Sequence, residues 1–489
     1  MSDADLCYTP ATELAAMIRA KKLSPVELTR AVLARMEKLN PTLNAYVTPT
    51  PEIALADAKR AEEAVMKGGP LGPIHGVPYG IKDLSFTKGI RTMSGSHIFA
   101  TRVPDVDAPF VPRLREAGGV MLGKTATPEF GWKGMGDSPL TGSTRNPWNT
   151  AMTTGGSSAG AGAAAAAGLG PLQHGSDGAG SIRIPSAFCG IFGLKPSYGR
   201  VPMYPVSNND LSSHNGPMTR TVADAALMMS VMAGPDELDR TSLPGPVDDY
   251  VGKLRAGIRG LRVAFSPDLD TLRVDPEVAA VVRDAVRVFE TLGAKVEEVK
   301  TGFADTHEMI RMMWNAHEAG NYARYLPEFR DRMDPGLVES IEDGLRYSVV
   351  DYIDMRGQKI AYWDSVRPLF ERHDLLLTPS LSVAAFECGR INPVHWPQPS
   401  NKWTGWRGRR SAIRSTSPAS RPRRCPRASP PPDFPWACRS SAAGSPTSRC
   451  SRPRPRSKRP GPGRHAARRS KRRNGTRAIA VPPKNLRGR

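Results

Sequence analysis

Residues 155–200 read GGSSAGAGAAAAAGLGPLQHGSDGAGSIRIPSAFCGIFGLKPSYGR. Two clusters of small residues end in serine: Gly155-Gly156-Ser157-Ser158, and Asp177-Gly178-Ala179-Gly180-Ser181. The alanine run between them predicts a tightly packed helix over 158–168, followed by a strand over 169–175. Side chains this small let main-chain amides approach a ligand closely. Successive amides aimed one way make a concavity for an anion, as an oxyanion requires. Ser181 therefore reads as a nucleophile, but a serine hydroxyl is weak at neutral pH and needs a base. His174 is the one histidine in this stretch, and its place near a strand end does not suit that role.

The base comes from upstream. Gly76-Val77-Pro78-Tyr79-Gly80-Ile81-Lys82-Asp83 sets a lysine at the end of a short apolar strand. A lysine desolvated in a buried site loses proton affinity and can act as a neutral base. Taken singly, these signals are weak. A Gly/Ser/Ala run is more often a linker or a packing site, and a lone lysine is more often a surface charge.

Three motifs in order change that balance: G-V-P-x-x-I-K-D at 76–83, G-G-S-S-x-G at 155–160 and D-G-A-G-S-I-R-I-P at 177–185. Together they resemble the amidase signature family, from about residue 8 to about residue 400. The resemblance implies an α/β fold, a large twisted mixed sheet covered by helices on both faces, in a single catalytic domain. It also implies a Ser–cis-Ser–Lys triad: Lys82 as base, Ser157 as the bridging serine and Ser181 as the acyl-forming nucleophile. The oxyanion hole is expected from the amides of Gly178, Ala179, Gly180 and Ser181. Asp177 and Arg183 are expected to pair and shape the nucleophile turn, with Ser158 supporting it. No metal and no cofactor are expected. The implied function is hydrolysis of a small-molecule carboxamide to carboxylate and ammonia or amine. The rival within the family is the ammonia-releasing component of a glutamyl-tRNA(Gln) amidotransferase. That protein usually carries glutamine where this chain has Ile184, and Lys195-Pro196-Ser197-Tyr198-Gly199-Arg200-Val201-Pro202 also favours a free-standing amidase. Gly156–Gly160 matches G-x-S-x-G too, but the hydrolase elbow follows a buried strand, whereas Asn146-Pro147-Trp148-Asn149 is loop chemistry.

Charge divides the chain. Of 68 basic and 47 acidic residues, 26 and one follow position 400, leaving 42 basic and 46 acidic residues before it. The body is mildly acidic and the tail carries the whole positive excess. The six cysteines form no C-x-x-C pair, so neither a zinc site nor a disulfide framework is indicated. No secretory signal or membrane-spanning run is visible. A cytoplasmic location follows as the default, as a monomer or homodimer.

Along the chain, helices are expected from Thr12 and from Pro25 (with Ser24 as cap, Glu27 closing a capping box and Pro41 stopping the helix), then over 53–66 and 108–117. Lys124 and Glu129 read as structural. His214 is a minor candidate for the pocket. Strands over 261–265 and 294–299, with the helix between them, suit the edge of the same sheet, as does the apolar run 375–377. In the helical region 304–371, Met309, Met312, Met313, Trp314 and Tyr322 are either pocket wall or core.

The expected domains are 1–402, catalytic but incomplete at its end, and 403–489, a basic Pro/Arg/Ser-rich tail. Such a tail buries too little apolar surface to order itself. It could be an arm for nucleic acid, but specific nucleic-acid binding is not expected. A shift of reading frame explains it better. Reading each codon's third base with the first two of the next, residues 411–429 are compatible with GDPFNLTGQPAASVPAGF. Residues 434–463 become compatible with PVGLQIVGRRFADLAVLQAAAAFEAARPW. Both strings resemble the end of a family member, so a frame change is expected between about codons 403 and 411. A chain that loses its last strands this way is expected to be insoluble or inactive.

Overall fold

The computed structural model describes residues 1–207 and 211–394. The expected boundary at 402–403 and the tail lie outside the described residues.

Six strands form the sheet that carries the site: β1 (Tyr46–Pro49), β2 (Pro78–Lys82), β3 (Val120–Thr125), β4 (Leu172–Asp177), β5 (Phe192–Gly193) and β6 (His214–Thr219). Their spatial order is β1-β3-β2-β4-β6-β5. β2 runs parallel to both β3 and β4, while β1 and β6 pair antiparallel with their neighbours. Every residue of β2, β3 and β6 is buried, as expected of strands covered on both faces. The sheet is mixed, as expected.

Helices pack over it. The first long helix, α1 (Pro25–Leu43), joins Ala11–Arg19 and Pro51–Lys67 in a core with Tyr79, Ile81, Met121 and Leu122. Fully burying each Leu, Ile or Val here contributes about 1.5–3 kcal/mol. The alanine helix α2 (Ala159–Ala166) packs against β2, β3, β4 and β6. Its glycines and alanines are the reason it fits. A Cβ on Gly160 would stand 2.1 Å from Ala45 O and 2.2 Å from Ala126 N.

Three local expectations need correction. α1 does not stop at Pro41 but continues to Leu43, and Asn44 ends it in the left-handed region, φ 51°. Proline's fixed φ is compatible with a helix, and so close to the end it removes little hydrogen bonding. Ser24 caps α1 by accepting from Val26 N (3.0 Å) and Glu27 N (3.2 Å), but the box stays open because the Ser24 amide does not donate to the Glu27 carboxylate; the Ser24 hydroxyl itself donates to Glu62 (2.5 Å). Strands β7 (Arg262–Phe265), β8 (Lys295–Glu298) and β9 (Leu375–Leu377) form their own parallel sheet, ordered β8-β7-β9. Among the described residues no strand links that sheet to the first.

Candidate active site

Lys82 is the last residue of β2, and its side chain is fully buried. Its Nζ lies 2.7 Å from Ser157 Oγ, 3.0 Å from Ser176 Oγ and 3.2 Å from Ser176 O. Burial pulls the Lys82 ammonium down to about 7, against the opposing pull of Asp177. A neutral amine has two N–H donors and one lone pair. Donating to the Ser176 carbonyl and hydroxyl leaves the lone pair for the Ser157 hydroxyl to donate into. The same three contacts also suit the three N–H donors of an ammonium, so it is burial that favours the base form.

Ser157 follows a cis peptide bond from Gly156 and is buried. The next residue, Ser158, sits at the N-terminus of α2. Its hydroxyl donates to Ser176 O (3.0 Å), accepts from Ser176 N (3.2 Å), and its amide donates to Ser181 O (3.1 Å). Ser158 therefore laces together the bridging segment, the end of β4 and the nucleophile turn. Ser181 itself is 8% exposed, so its hydroxyl is nearly enclosed. The structure brings Lys82 and Ser157 into direct contact and puts Ser181 on the adjoining turn, without a hydrogen bond between the two serine hydroxyls.

Asp177 shapes that turn. Its carboxylate is fully buried and receives a two-pronged contact from Arg183, Nη2 to Oδ1 at 2.8 Å and Nε to Oδ2 at 2.9 Å. It also accepts the amides of Gly180 (2.6 Å) and Ile182 (3.1 Å). Burial alone would push this carboxyl up, but the Arg183 guanidinium outweighs it and holds Asp177 well below the usual carboxylate range. The pairing expected from sequence is present. One expectation is corrected: the Gly180 amide is committed to Asp177, because its single hydrogen already has a carboxylate acceptor. The amides of Gly178, Ala179 and Ser181 make no such bond to Asp177.

Other candidates fall into place around this centre. His174 is tied through Nε2 to Asn215 Oδ1 (3.1 Å), stacks on Phe110 at 4.2 Å and is pulled down to about 3, chiefly by burial. It is neutral and engaged elsewhere. His214 meets Asp177 O through Nδ1 (3.1 Å) and stands edge-on to Tyr198. Glu129 accepts from Ser96 Oγ (2.6 Å) and Asp334 N (2.6 Å), bridging two loops. Met309, Met312 and Met313 form a core cluster with Met355. Trp314 and Tyr322 differ. Both lie on α3 (His307–Tyr322), and Trp314 Nε1 donates to Trp132 O (2.8 Å) while Tyr322 stacks on Phe130 at 3.9 Å. Gly131, beside Phe130, is left-handed (φ 76°), and a Cβ there would stand 2.9 Å from Ser157 Oγ. Phe99 and Tyr325 extend the aromatic wall.

Sequence reasoning does not find Ser176. It stands just before Asp177 in β4, and only the pairing of β4 with β2 shows that it faces Lys82. Among the described residues no cluster of three or more His, Cys, Asp or Glu side chains is arranged to hold a metal, and no helix is long and apolar enough to cross a membrane.

Known proteins resemble this chain over much of its length. A family model described as Amidase matches residues 27–407. An acylamidase of Rhodococcus erythropolis is 41% identical over 396 residues, covering 80% of this chain and 83% of the relative. A glutamyl-tRNA(Gln) amidotransferase component of Methylococcus capsulatus is 45% identical over 288 residues, covering 59% of each. Among solved structures, a bacterial aryl acylamidase of the amidase signature family superposes with a TM-score of 0.74 at 30% identity, covering 78% of this chain and 81% of that one.

Proposed function

This chain belongs to the amidase signature family, and we propose that Lys82, Ser157 and Ser181 carry out its hydrolysis of carboxamides. The observation that bears most weight is the contact of Lys82 Nζ with Ser157 Oγ inside a fully buried strand end. Neutral Lys82 takes the Ser157 proton while Ser157 takes that of Ser181. Ser181 Oγ bonds to the amide carbon, and the amides of Gly178, Ala179 and Ser181 receive the oxyanion. Collapse breaks the C–N bond, and the proton returns along the same relay to the departing ammonia or amine. Water then attacks the acyl-serine, releasing the carboxylate and restoring the Ser181 hydroxyl. Asp177 and Arg183 hold the turn in shape throughout.

The acylamidase relatives favour an acyl group on a small amine as the substrate, with the aromatic wall of Phe130 and Tyr322 offering a flat apolar surface. A cytoplasmic location suits such a substrate. The test is hydrolysis of 4-nitroacetanilide and simple aliphatic amides by the full chain. Ser181→Ala and Lys82→Ala should each abolish turnover, and appreciable activity in either variant rejects these roles. The amidotransferase relatives support a second reading, ammonia release for a partner. Copurification of a partner protein would favour it.

A further inference from the structure

Beside the site lies a second buried lysine, which the chemistry above does not use. Lys124, on β3, is fully buried, and its Nζ donates to Thr87 Oγ1 (2.7 Å) and to Ser85 O. The pairing of β2 with β3 sets Lys124 opposite Ile81, next to Lys82. Asp83, immediately after the base, is also fully buried. Its two carboxylate oxygens accept the Met93 amide at 3.2 and 3.1 Å, and its own carbonyl accepts Ser94 N (3.1 Å). The contacts run onward. Ser94 O accepts Phe130 N (2.8 Å), and Gly131 next to it is the residue that abuts Ser157 Oγ. Arg102 braces the same turn through Thr92 O (2.9 Å) and Ser94 Oγ (2.7 Å).

We propose that Asp83 and Lys124 are positioning residues for the lysine–serine site, Asp83 holding the 92–95 turn and Lys124 the 85–87 segment, and that together they present no net charge to Lys82. A buried charge next to the base would alter its proton affinity, and this pair cancels whichever atom holds the proton. Burial opposes charge on both groups, and each favours the charge of the other. The remaining charged or titratable groups that act on the pair or on Lys82 are Arg102, Asp107, His174 and Asp177. Arg102 is held by the turn and Asp177 by Arg183. His174 is neutral, and Asp107 meets Arg115.

The inference rests on the reading of Lys82 and Ser181 given above, and one experiment separates the two. The full-length chain is labelled with an alkyl fluorophosphonate, in which Ser181 Oγ bonds to phosphorus and fluoride leaves. The rate is followed by mass spectrometry from pH 5 to 10. If Lys82→Ala labels as fast as the parent chain, the catalytic reading itself fails. Given labelling that depends on Lys82, Lys124→Met should move the acid limb up and Asp83→Asn should move it down. Each shift should be on the order of one pH unit, the effect of a unit charge about 10 Å away at an effective dielectric of about 20. The double variant should return toward the parent midpoint, and charge-preserving Lys124→Arg should keep it whatever its rate. Single variants that leave the midpoint in place, or move it in the same direction, overturn the proposal. Should Lys124→Met fail to fold, the downward shift in Asp83→Asn decides the question.

Discussion

Replacing Lys82 by methionine should make the protein more stable while destroying its activity. The lysine is fully buried and moved from an ordinary 10.5 to about 7. The unfolded chain holds its proton until about pH 10.5 and the folded chain releases it near 7. Between those values the unfolded state binds more protons, so the stability of the parent rises with pH. Below pH 7 the full penalty of discharging or burying the ammonium applies, about 5 kcal/mol. Methionine removes that penalty but leaves the Ser157 and Ser176 groups without their partner, a loss of about 2–3 kcal/mol together. At pH 6–7 the variant should therefore gain about 2 kcal/mol, a few degrees in Tm. The advantage should shrink by about 1.4 kcal/mol per pH unit above 7 and change sign near pH 8.5–9. Thermal melts of both proteins across pH 6–10.5, monitored by circular dichroism, measure this difference directly. A difference that does not vary with pH, or a parent more stable than the variant at pH 6, would refute the assignment of a discharged lysine.

Other perturbations act at single contacts. Gly131→Ala should lower kcat about a hundred-fold by pushing the Ser157 hydroxyl out of line, since the new methyl would stand 2.9 Å from that oxygen; steady-state hydrolysis of an acyl anilide reads it. Asp177→Asn leaves Arg183 buried without its charge partner and should cost about 3–5 kcal/mol, visible as a lowered urea midpoint. The reading of the tail predicts a gained or lost base between codons 403 and 411, found by resequencing the source DNA over codons 395–415. A frame that stands as written, with soluble and cooperatively melting protein, would set it aside. All the measurements above use protein expressed from DNA checked across this region.

The site is more legible in the sequence than the sheet around it. Lys82, Ser157 and Ser181 stand in motifs rich in small residues that allow close main-chain approach; the fold joins Lys82 to Ser157 at the end of β2, and the Ser181 carbonyl accepts the amide of Ser158 next door. The Asp177–Arg183 pair is legible because a lysine-free apolar stretch gives a lone arginine little else to meet. Ser176 is not, since its role depends on which strand lies beside β2, and strand pairing is a long-range fact that no local pattern encodes. The commitment of the Gly180 amide to Asp177 is hidden for a related reason: a turn's composition shows which donors exist, not where each one points. Pro41 reads as a stop, although proline's fixed φ lets it ride in the last turn of α1. The separation of β7, β8 and β9 from the first sheet follows from register between distant segments, which periodicity alone does not supply.

The closeness of α2 to its neighbours bears on how this enzyme could be re-engineered. Gly160 faces Ala45 O and Ala126 N, and Gly162 would place a Cβ 2.9 Å from Pro185 Cβ. A library randomised over 157–166 would spend most of its members on chains that cannot close around the base, because the packing tolerates almost no added atom. Phe99, Phe130, Tyr322 and Tyr325 touch one another edge-on or stacked, and none is fully enclosed. On the function proposed above, diversity placed at Phe99, Tyr322 and Tyr325 changes the surface offered to the acyl group or amine, while Phe130 is kept because its amide is tied to Ser94 O and its neighbour Gly131 abuts Ser157, so selectivity and chemistry can be evolved in separate rounds.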